Sequence, residues 1–291
     1  MLLLSGTLPV GHDDSISVGE VRYDRVNMSV GGREIPAEMR SIGATALMAA
    51  ASTAAEALGM EAPIGLVAGD VGDGSGSRMV YRYLTEEAGG LGVSTVTLHY
   101  ILPLRAEFMD FVEMTDYWEK RPFLIADAGA LLIAKATGLC SKFDLFTPDA
   151  GEISFLADPD AGHPAYVKAS LFEVDTTGVP DLIGRAYSMH NAPRYLLVKG
   201  PVDFVSDNGR IVHTVSEPSV PVMEAIGGTG DTITGIVSAL ISGGIEPTRA
   251  ALLALKANRL AAQLCDPTPA TQVFEIIDRI GEAITRTMDS A

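Results

Sequence analysis

Short apolar runs alternate with helical stretches through most of this chain, and that alternation constrains its fold more than any other feature. The runs Ile64-Gly65-Leu66-Val67-Ala68-Gly69, Phe123-Leu124-Ile125-Ala126-Asp127, residues 143–146 and Tyr195-Leu196-Leu197-Val198-Lys199-Gly200 have no polar face. Strands apolar on both faces, joined by helices, predict a parallel sheet covered on both sides. The helices are expected over residues 43–59, 78–88, 130–137, 151–156, 180–189, 247–264 and 271–288, and directly after Asp231. In the first of them Leu47, Ala50, Ala54 and Leu58 share one face, and its many small residues suggest close helix packing. Residues 93–101 are β-rich, and Asn208-Gly209 between residues 202–205 and 210–215 is a strong hairpin signal. Residues 157–164 read as a polar surface loop. Residues 1–40 are harder to assign: Leu2-Leu3-Leu4 and residues 18–30 can supply strands, with Gly31-Gly32 as a turn. The expectation is an α/β fold, one domain over residues 1–291, with a mostly parallel central sheet and helices on both faces.

A chain of 291 residues, 47% hydrophobic and 20% charged, can bury a large core and is not disordered in composition. Its net charge of −16 argues against nucleic acid and anionic membranes as partners, because both are bound mainly through Lys and Arg. A nucleotide ligand stays compatible, since a ring of amides, one lysine and a divalent cation act locally. Cys140 and Cys265 form no disulfide framework, and the five histidines (12, 99, 163, 190, 213) show no metal-ligand spacing. With no signal peptide and no apolar run of spanning length, a soluble cytoplasmic protein is expected, and a homo-oligomer is compatible with it.

In open α/β sheets ligands bind beyond the carboxyl ends of the strands. Polar residues gather at those ends here: Gly69-Asp70, Asp127, Thr147-Pro148-Asp149, Lys199-Gly200, and the turn Gly227-Gly228-Thr229-Gly230-Asp231. The apolar stripe Ile233, Ile236, Val237, Leu240 and Ile241 makes the segment after Asp231 an amphipathic helix, stopped by Gly243-Gly244. A glycine turn lets an anion approach the free amides of a helix start. Asp231 is then either a base facing that anion or simply an N-cap. Lys199 either snorkels to solvent or holds an anion, and Gly200 beside it favours the anion. Glu152 suits a helix start through the dipole alone, or serves as a divalent-cation ligand. The segment 69–76 lacks the ending of a P-loop and the dinucleotide fingerprint, and reads as a flexible turn.

The order of these pieces resembles the ribokinase-like superfamily, and most closely the carbohydrate-kinase-related NAD(P)H-hydrate dehydratases. The run Gly228-Thr229-Gly230-Asp231 matches that family intact. Thr147-Pro148-Asp149-Ala150-Gly151-Glu152 is similar to its Thr-Pro-His-Pro-Gly-Glu, and Asp127-Ala128-Gly129-Ala130-Leu131 to its Asp-Ala-Asp-Ala-Leu. Gly69-Asp70-Val71-Gly72 stands where the family has Gly-Pro-Gly-Leu-Gly. The resemblance implies a reaction dependent on ATP or ADP with Mg²⁺, in which a substrate hydroxyl is phosphorylated and phosphate is then eliminated. Asp231 would be the base, with Gly228, Thr229 and Gly230 as the anion hole. Lys199, Gly200 and Gly227 would bind nucleotide, Gly69, Asp127 and Asp149 substrate, and Glu152 the metal. The departures at Asp149, Ala150, Gly129, Leu132 and residues 270–272 fall on the substrate side. They keep two alternatives open: a small-molecule kinase of the same fold acting on a sugar or vitamin alcohol, and a catalytically silent nucleotide-binding protein.

Overall fold

The computed structural model describes residues 1–10, 15–39, 43–161 and 178–289. The chain opens with strands β1 (Leu2–Leu8), β2 (Ile16–Tyr23), β3 (Met28–Val30) and β4 (Arg33–Glu34), then helix α1 (Gly43–Ala57). Alternation follows: β5 (Ile64–Gly69), α2 (Ser75–Glu86), β6 (Thr95–Leu98), α3 (Arg105–Met114), β7 (Phe123–Ala126), α4 (Gly129–Thr137), β8 (Leu145–Phe146), α5 (Ala150–Leu156) and α6 (Val179–Ser188). Strands β9 (Tyr195–Val198), β10 (Asp203–Asp207) and β11 (Arg210–Val215) precede helices α7 (Thr229–Ser242), α8 (Pro247–Cys265), α9 (Val273–Ile277) and α10 (Ile280–Asp289). None of the described helices is long and apolar enough to cross a membrane.

The eleven strands among the described residues form one sheet in the order β11-β10-β9-β8-β7-β6-β1-β5-β2-β3-β4. Its centre, from β9 to β5, is parallel throughout. Antiparallel strands flank it on both sides, β10 and β11 at one edge and β2, β3 and β4 at the other. The expected mostly parallel α/β sheet is therefore present. Side chains of the central strands alternate between two cores. Leu4, Val67, Ile125 and Leu197 join α1, α7, α8, α9 and α10 on one face. Leu3, Leu66, Leu124 and Leu196 join α2 to α6 on the other. Period-two alternation with both sides apolar is what a sheet buried on both faces demands.

Several boundaries differ from the expectation for local reasons. The strand expected over 143–146 shrinks to two residues because a 3-10 turn, Cys140–Lys142, precedes it. The helix expected over 271–288 breaks at Asp278-Arg279 into α9 and α10. Helix α3 went unread because Leu104 gives it no polar cap and charged residues interrupt its apolar positions; it buries Phe108, Phe111 and Val112. Of the polar loop expected over 157–164, residues 162–164 lie outside the described residues, as do His12 and His163.

The alanine-dense face of α1 has a specific purpose. It lies against α7 so closely that a Cβ on Gly235 would stand 2.2 Å from the Leu47 carbonyl oxygen and 3.1 Å from Ala51 N. Two helix backbones meet there with no side chain between them. Gly235→Ala is expected to destabilise the fold by about 3 kcal/mol or more, despite alanine's better helix propensity, because overpacking forces the helices apart. Thermal or urea unfolding of the variant checks this, and a stabilised variant would mean that the seam gives easily.

Candidate active site

All the strand-end residues picked out above emerge at one edge of the sheet. Asp70, His99, Asp127, Thr147 and Lys199 each directly follow the last residue of β5, β6, β7, β8 and β9. Because these strands are parallel, the five residues lie at the same end of the sheet, where His99, Asp127, Thr147 and Lys199 come together. Asp127 is buried at the centre, 1% exposed. Lys199 Nζ donates to both of its carboxylate oxygens at 3.0 Å. Thr234 Oγ1 donates to Oδ2 at 2.6 Å and the Ala128 amide to Oδ1 at 2.9 Å. Thr147 Oγ1 stands 3.0 Å from Thr234 Oγ1, tying β8 to α7. Burial alone would raise the Asp127 carboxyl, but Lys199, with help from His99 and Thr234, holds it below its ordinary value. Lys199 answers in kind: burial pulls its ammonium down, and Asp127, Glu152 and Asp231 more than reverse that. Such a buried pair stays ionised only because each partner satisfies the other.

Helix α7 begins at the glycine turn. Gly228 is the N-cap, with φ of 96°, a left-handed backbone that glycine adopts without strain. Asp231 is the third residue inside the helix, and no side chain caps this terminus. The reading of Asp231 as an N-cap is thus corrected: Gly228 turns the chain, and the Asp231 carboxylate is left for other work. Its side chain is 14% exposed, with Oδ1 3.0 Å from His99 Nε2. The first-turn amides have no intrahelical partners, and the helix dipole is positive there. Thr229 Oγ1 is held by the Met223 and Ile226 carbonyls, while Asn258 of α8 donates to the Thr229 carbonyl and accepts from Thr232 Oγ1. The turn is a fixed structure.

His99 is the residue at this site that sequence spacing missed. Its imidazole is 1% exposed, with Nε2 beside Asp231 and Nδ1 3.6 Å from Asp127 Oδ2. Neither ring nitrogen has a hydrogen-bond partner; the approaches are close but not aligned. Tyr100, with φ of 51°, sets its ring edge against the imidazole, centroids 4.4 Å apart. One signal was available: His99 follows an apolar strand at the edge where ligands bind. His99, Asp127 and Asp231 place ligand atoms within 4.8 Å of one another, as a chelating trio does. The Lys199 ammonium on Asp127 already supplies positive charge there.

Two cavities flank this network. One of about 470 Å³ is lined by Lys199, Gly200, Thr229, Gly230, Asn258, Arg259 and Asp149. Arg259 shapes its wall, bonding Asp203 through Nε at 2.7 Å and the Gly200 and Pro201 carbonyls at 2.9 Å. The other, of about 480 Å³, lies at the ends of β1, β5, β6 and β7, against Thr7, Asp70, Tyr100, Ile101, Ala128 and Gly129. A Cβ on Gly129 would stand 2.8 Å from the Ile101 carbonyl oxygen, so this backbone has no room for the aspartate that the resemblance puts there. Ala128 before it has φ of 50°, an uncommon conformation for alanine.

The remaining predicted residues spread around these walls. Gly69 ends β5, and the segment after it is no loose turn. Asp70 accepts hydrogen bonds from the amides of Gly72, Gly74 and Ser77 and from the Ser77 hydroxyl. Burial raises the Asp70 carboxyl, but these bonds outweigh it and hold it below its ordinary value. Asp149 and Glu152 form a capping box on α5, each side chain accepting from the other's backbone amide at 2.8 and 2.9 Å. Asp149 belongs to the Lys199 cavity, not to the one beside Tyr100. Gly227 is open, with nothing within 4 Å of where a Cβ would sit.

Glu152 keeps part of its surface in solvent, yet surrounding protein and the neighbouring Asp127 and Asp149 carboxylates push it up to about 8. A raised carboxyl contributes stability below its ordinary value of 4.5 that is lost as pH climbs through 8. Relative to Glu152→Gln, the wild-type melting temperature is therefore expected to fall between pH 4.5 and 8 and level off above. Parallel melting curves of the two proteins across that range decide it; a constant difference would contradict the shift.

Comparison with known proteins identifies the family and the fold. The family model described as NAD(P)H-hydrate dehydratase matches residues 109–285, from α3 to α10, so the likeness read at residues 69–72 lies outside the matched stretch. An uncharacterized protein of Methanocaldococcus jannaschii is 40% identical over 223 residues, covering 77% of this chain and 91% of that protein. The ADP-dependent (S)-NAD(P)H-hydrate dehydratase of Cenarchaeum symbiosum is 31% identical over 137 residues, covering 47% of this chain but only 42% of that enzyme. Among solved structures, the ADP/ATP-dependent NAD(P)H-hydrate dehydratase of Bacillus subtilis, co-crystallized with ATP/Mg²⁺, superposes with a TM-score of 0.56 at 15% identity, covering 98% of this chain and 88% of that one. The pyridoxal kinase of Staphylococcus aureus, in complex with pyridoxal, gives 0.54 at 15% identity over 77% and 83%. The structural likenesses establish the ribokinase-like fold, and with more than half of its length matched by one family model, the chain belongs to the NAD(P)H-hydrate dehydratase family.

Proposed function

We propose that this protein is a nucleotide-dependent NAD(P)H-hydrate dehydratase. One observation carries the reading: the Asp231 carboxylate stands uncapped in the first turn of α7, beside free helix amides and next to His99. That arrangement suits removal of a hydroxyl proton while a phosphoryl group is held by amides. Asp231 is the base, and the amides of Gly228, Thr229 and Gly230 stabilise charge on the phosphoryl group in flight. The nucleotide takes the cavity lined by Lys199 and Gly200, with Gly227 at its open side. The substrate hydroxyl reaches Asp231 from the cavity beside Tyr100 and the Gly69 loop, with Asp127 acting through Lys199.

A divalent cation fits the donors on the nucleotide side. Glu152 is a carboxylate made costly to ionise by burial and by Asp127 and Asp149, and a hard oxygen-binding ion would relieve that repulsion. Mg²⁺ bound there with the nucleotide would neutralise phosphate charge. The ADP dependence in the name of the Cenarchaeum relative supports ADP as the donor, and the ATP/Mg²⁺ complex of the Bacillus enzyme supports ATP.

The test is direct. Purified protein given hydrated NADH, Mg²⁺ and ADP or ATP should restore the reduced-nicotinamide absorbance and release phosphate together. A folded sample that binds nucleotide but restores no absorbance with either donor overturns the reading. The specific observation favouring a kinase instead is Gly129, whose neighbourhood reshapes the substrate wall. A kinase would consume nucleotide and keep the phosphate on its product.

A further inference from the structure

A kinase and a dehydratase differ in how many protons their active site must accept. Transfer of a phosphoryl group to a hydroxyl releases one proton. Elimination of that phosphate to form a carbon–carbon double bond releases a second, from the carbon next to the one that carried the hydroxyl. A single carboxylate that keeps the first proton is spent before the second arrives. The first proton must therefore move on before the carboxylate can act again, either to a neighbouring base or to the departing phosphate.

The structure places one unexplained group at that point. The His99 imidazole is buried, unpartnered at both nitrogens, and 3.0 Å from the proposed base. Elsewhere in the core, unpartnered polar atoms in described residues are only the hydroxyls of Tyr81 and Ser242, which hold no proton readily. A buried imidazole without partners costs stability, so its retention here is tied to what it faces. On its far side lies the Asp127 carboxylate, 3.6 Å from Nδ1, where an imidazolium would find opposite charge on both flanks.

We propose that His99 accepts the first proton from Asp231, so that Asp231 is a carboxylate again when phosphate is eliminated. This inference rests on the dehydratase reading. In the first step the substrate O–H breaks, its proton forms O–H on Asp231, and the terminal phosphoryl group of the nucleotide bonds to the substrate oxygen. Next the Asp231 O–H breaks and an N–H forms on His99 Nε2. In the last step the C–O bond to phosphate breaks, phosphate departing with the electron pair. The neighbouring C–H gives its proton to Asp231, and its electrons form the double bond. The departing phosphate takes up one of the two protons, and the other leaves to solvent. His99 acts through Asp231 and touches no substrate atom. The oblique approach of Nε2 to Oδ1 is a resting geometry of the kind that tightens when substrate binds.

The experiment is a single turnover of wild-type and His99→Gln protein with hydrated NADH, Mg²⁺ and ADP or ATP. Nucleotide consumption, phosphorylated hydrate and reduced-nicotinamide absorbance are followed separately. In the variant, nucleotide consumption is expected within about 3-fold of wild type, while absorbance regain slows about 100-fold or more, with phosphorylated hydrate accumulating. A structural role would slow both steps alike, and that result overturns the proposal, as would no slowing of either. If His99→Gln does not melt cooperatively, His99→Asn replaces it. Failure of both to fold assigns the imidazole to the core and also overturns the proposal. Wild-type protein inert toward the hydrate would instead remove the dehydratase reading, and this inference with it.

Discussion

Asp231→Asn is expected to lower kcat by about 10³-fold while leaving the fold and nucleotide affinity in place. The amide keeps the shape of the carboxylate but cannot take a proton. Because Asp231 is not the cap of α7, its replacement breaks no capping bond. The structural losses are a favourable charge in the first turn, worth about 0.3–1 kcal/mol, and part of the negative surroundings of Lys199. A melting temperature within a few degrees of wild type, with unchanged nucleotide binding by calorimetry, would isolate the chemical role. Turnover within 10-fold of wild type would show that another group takes the hydroxyl proton.

Lys199→Met should act on stability and function together. It leaves the Asp127 carboxylate buried with no cation, at a cost of about 3–5 kcal/mol. For a protein of this size that is a fall in melting temperature of roughly 10 °C. The sign with pH is fixed. Without Lys199 the Asp127 carboxyl is raised, so the deficit against wild type shrinks as pH falls and Asp127 gains a proton. Adding Asp127→Asn to Lys199→Met removes the stranded charge and should recover much of the lost stability, without restoring nucleotide turnover. A double variant no more stable than the single one would mean that Lys199 stabilises by packing its stem rather than by charge.

The parallel sheet and the edge that carries the site were legible because strand periodicity and strand-end chemistry are local signals. Asp127, Thr147 and Lys199 could be placed at that edge from their neighbours alone. His99 could not be paired with Asp231, which is far away in sequence and joined to it only by the fold. A search for metal-ligand spacing discards such a histidine, since its partners are carboxylates from other elements. Asn258 and Arg259 were equally silent, lying in the middle of α8 with no motif around them. The capping box of Asp149 and Glu152, by contrast, was readable as an acid three residues before another at a helix start, and was passed over for ligand roles. The glycine turn was recognised but misregistered: a cap at Asp231 fits the composition, and only backbone dihedrals show that Gly228 holds that position.

The seam at Gly235 reaches the chemistry as well as the core. Gly235 stands four residues past Asp231 on the same rigid helix, about 6 Å along its axis. Any bulk inserted between α1 and α7 therefore pushes the proposed base along with the helix that carries it. Displacements near 1 Å suffice to slow a reaction about 100-fold. If Asp231 is the base, residues on the α1 side of that contact, Leu47 and Ala51, would set the turnover rate from the protein interior, by fixing where a helix end stops.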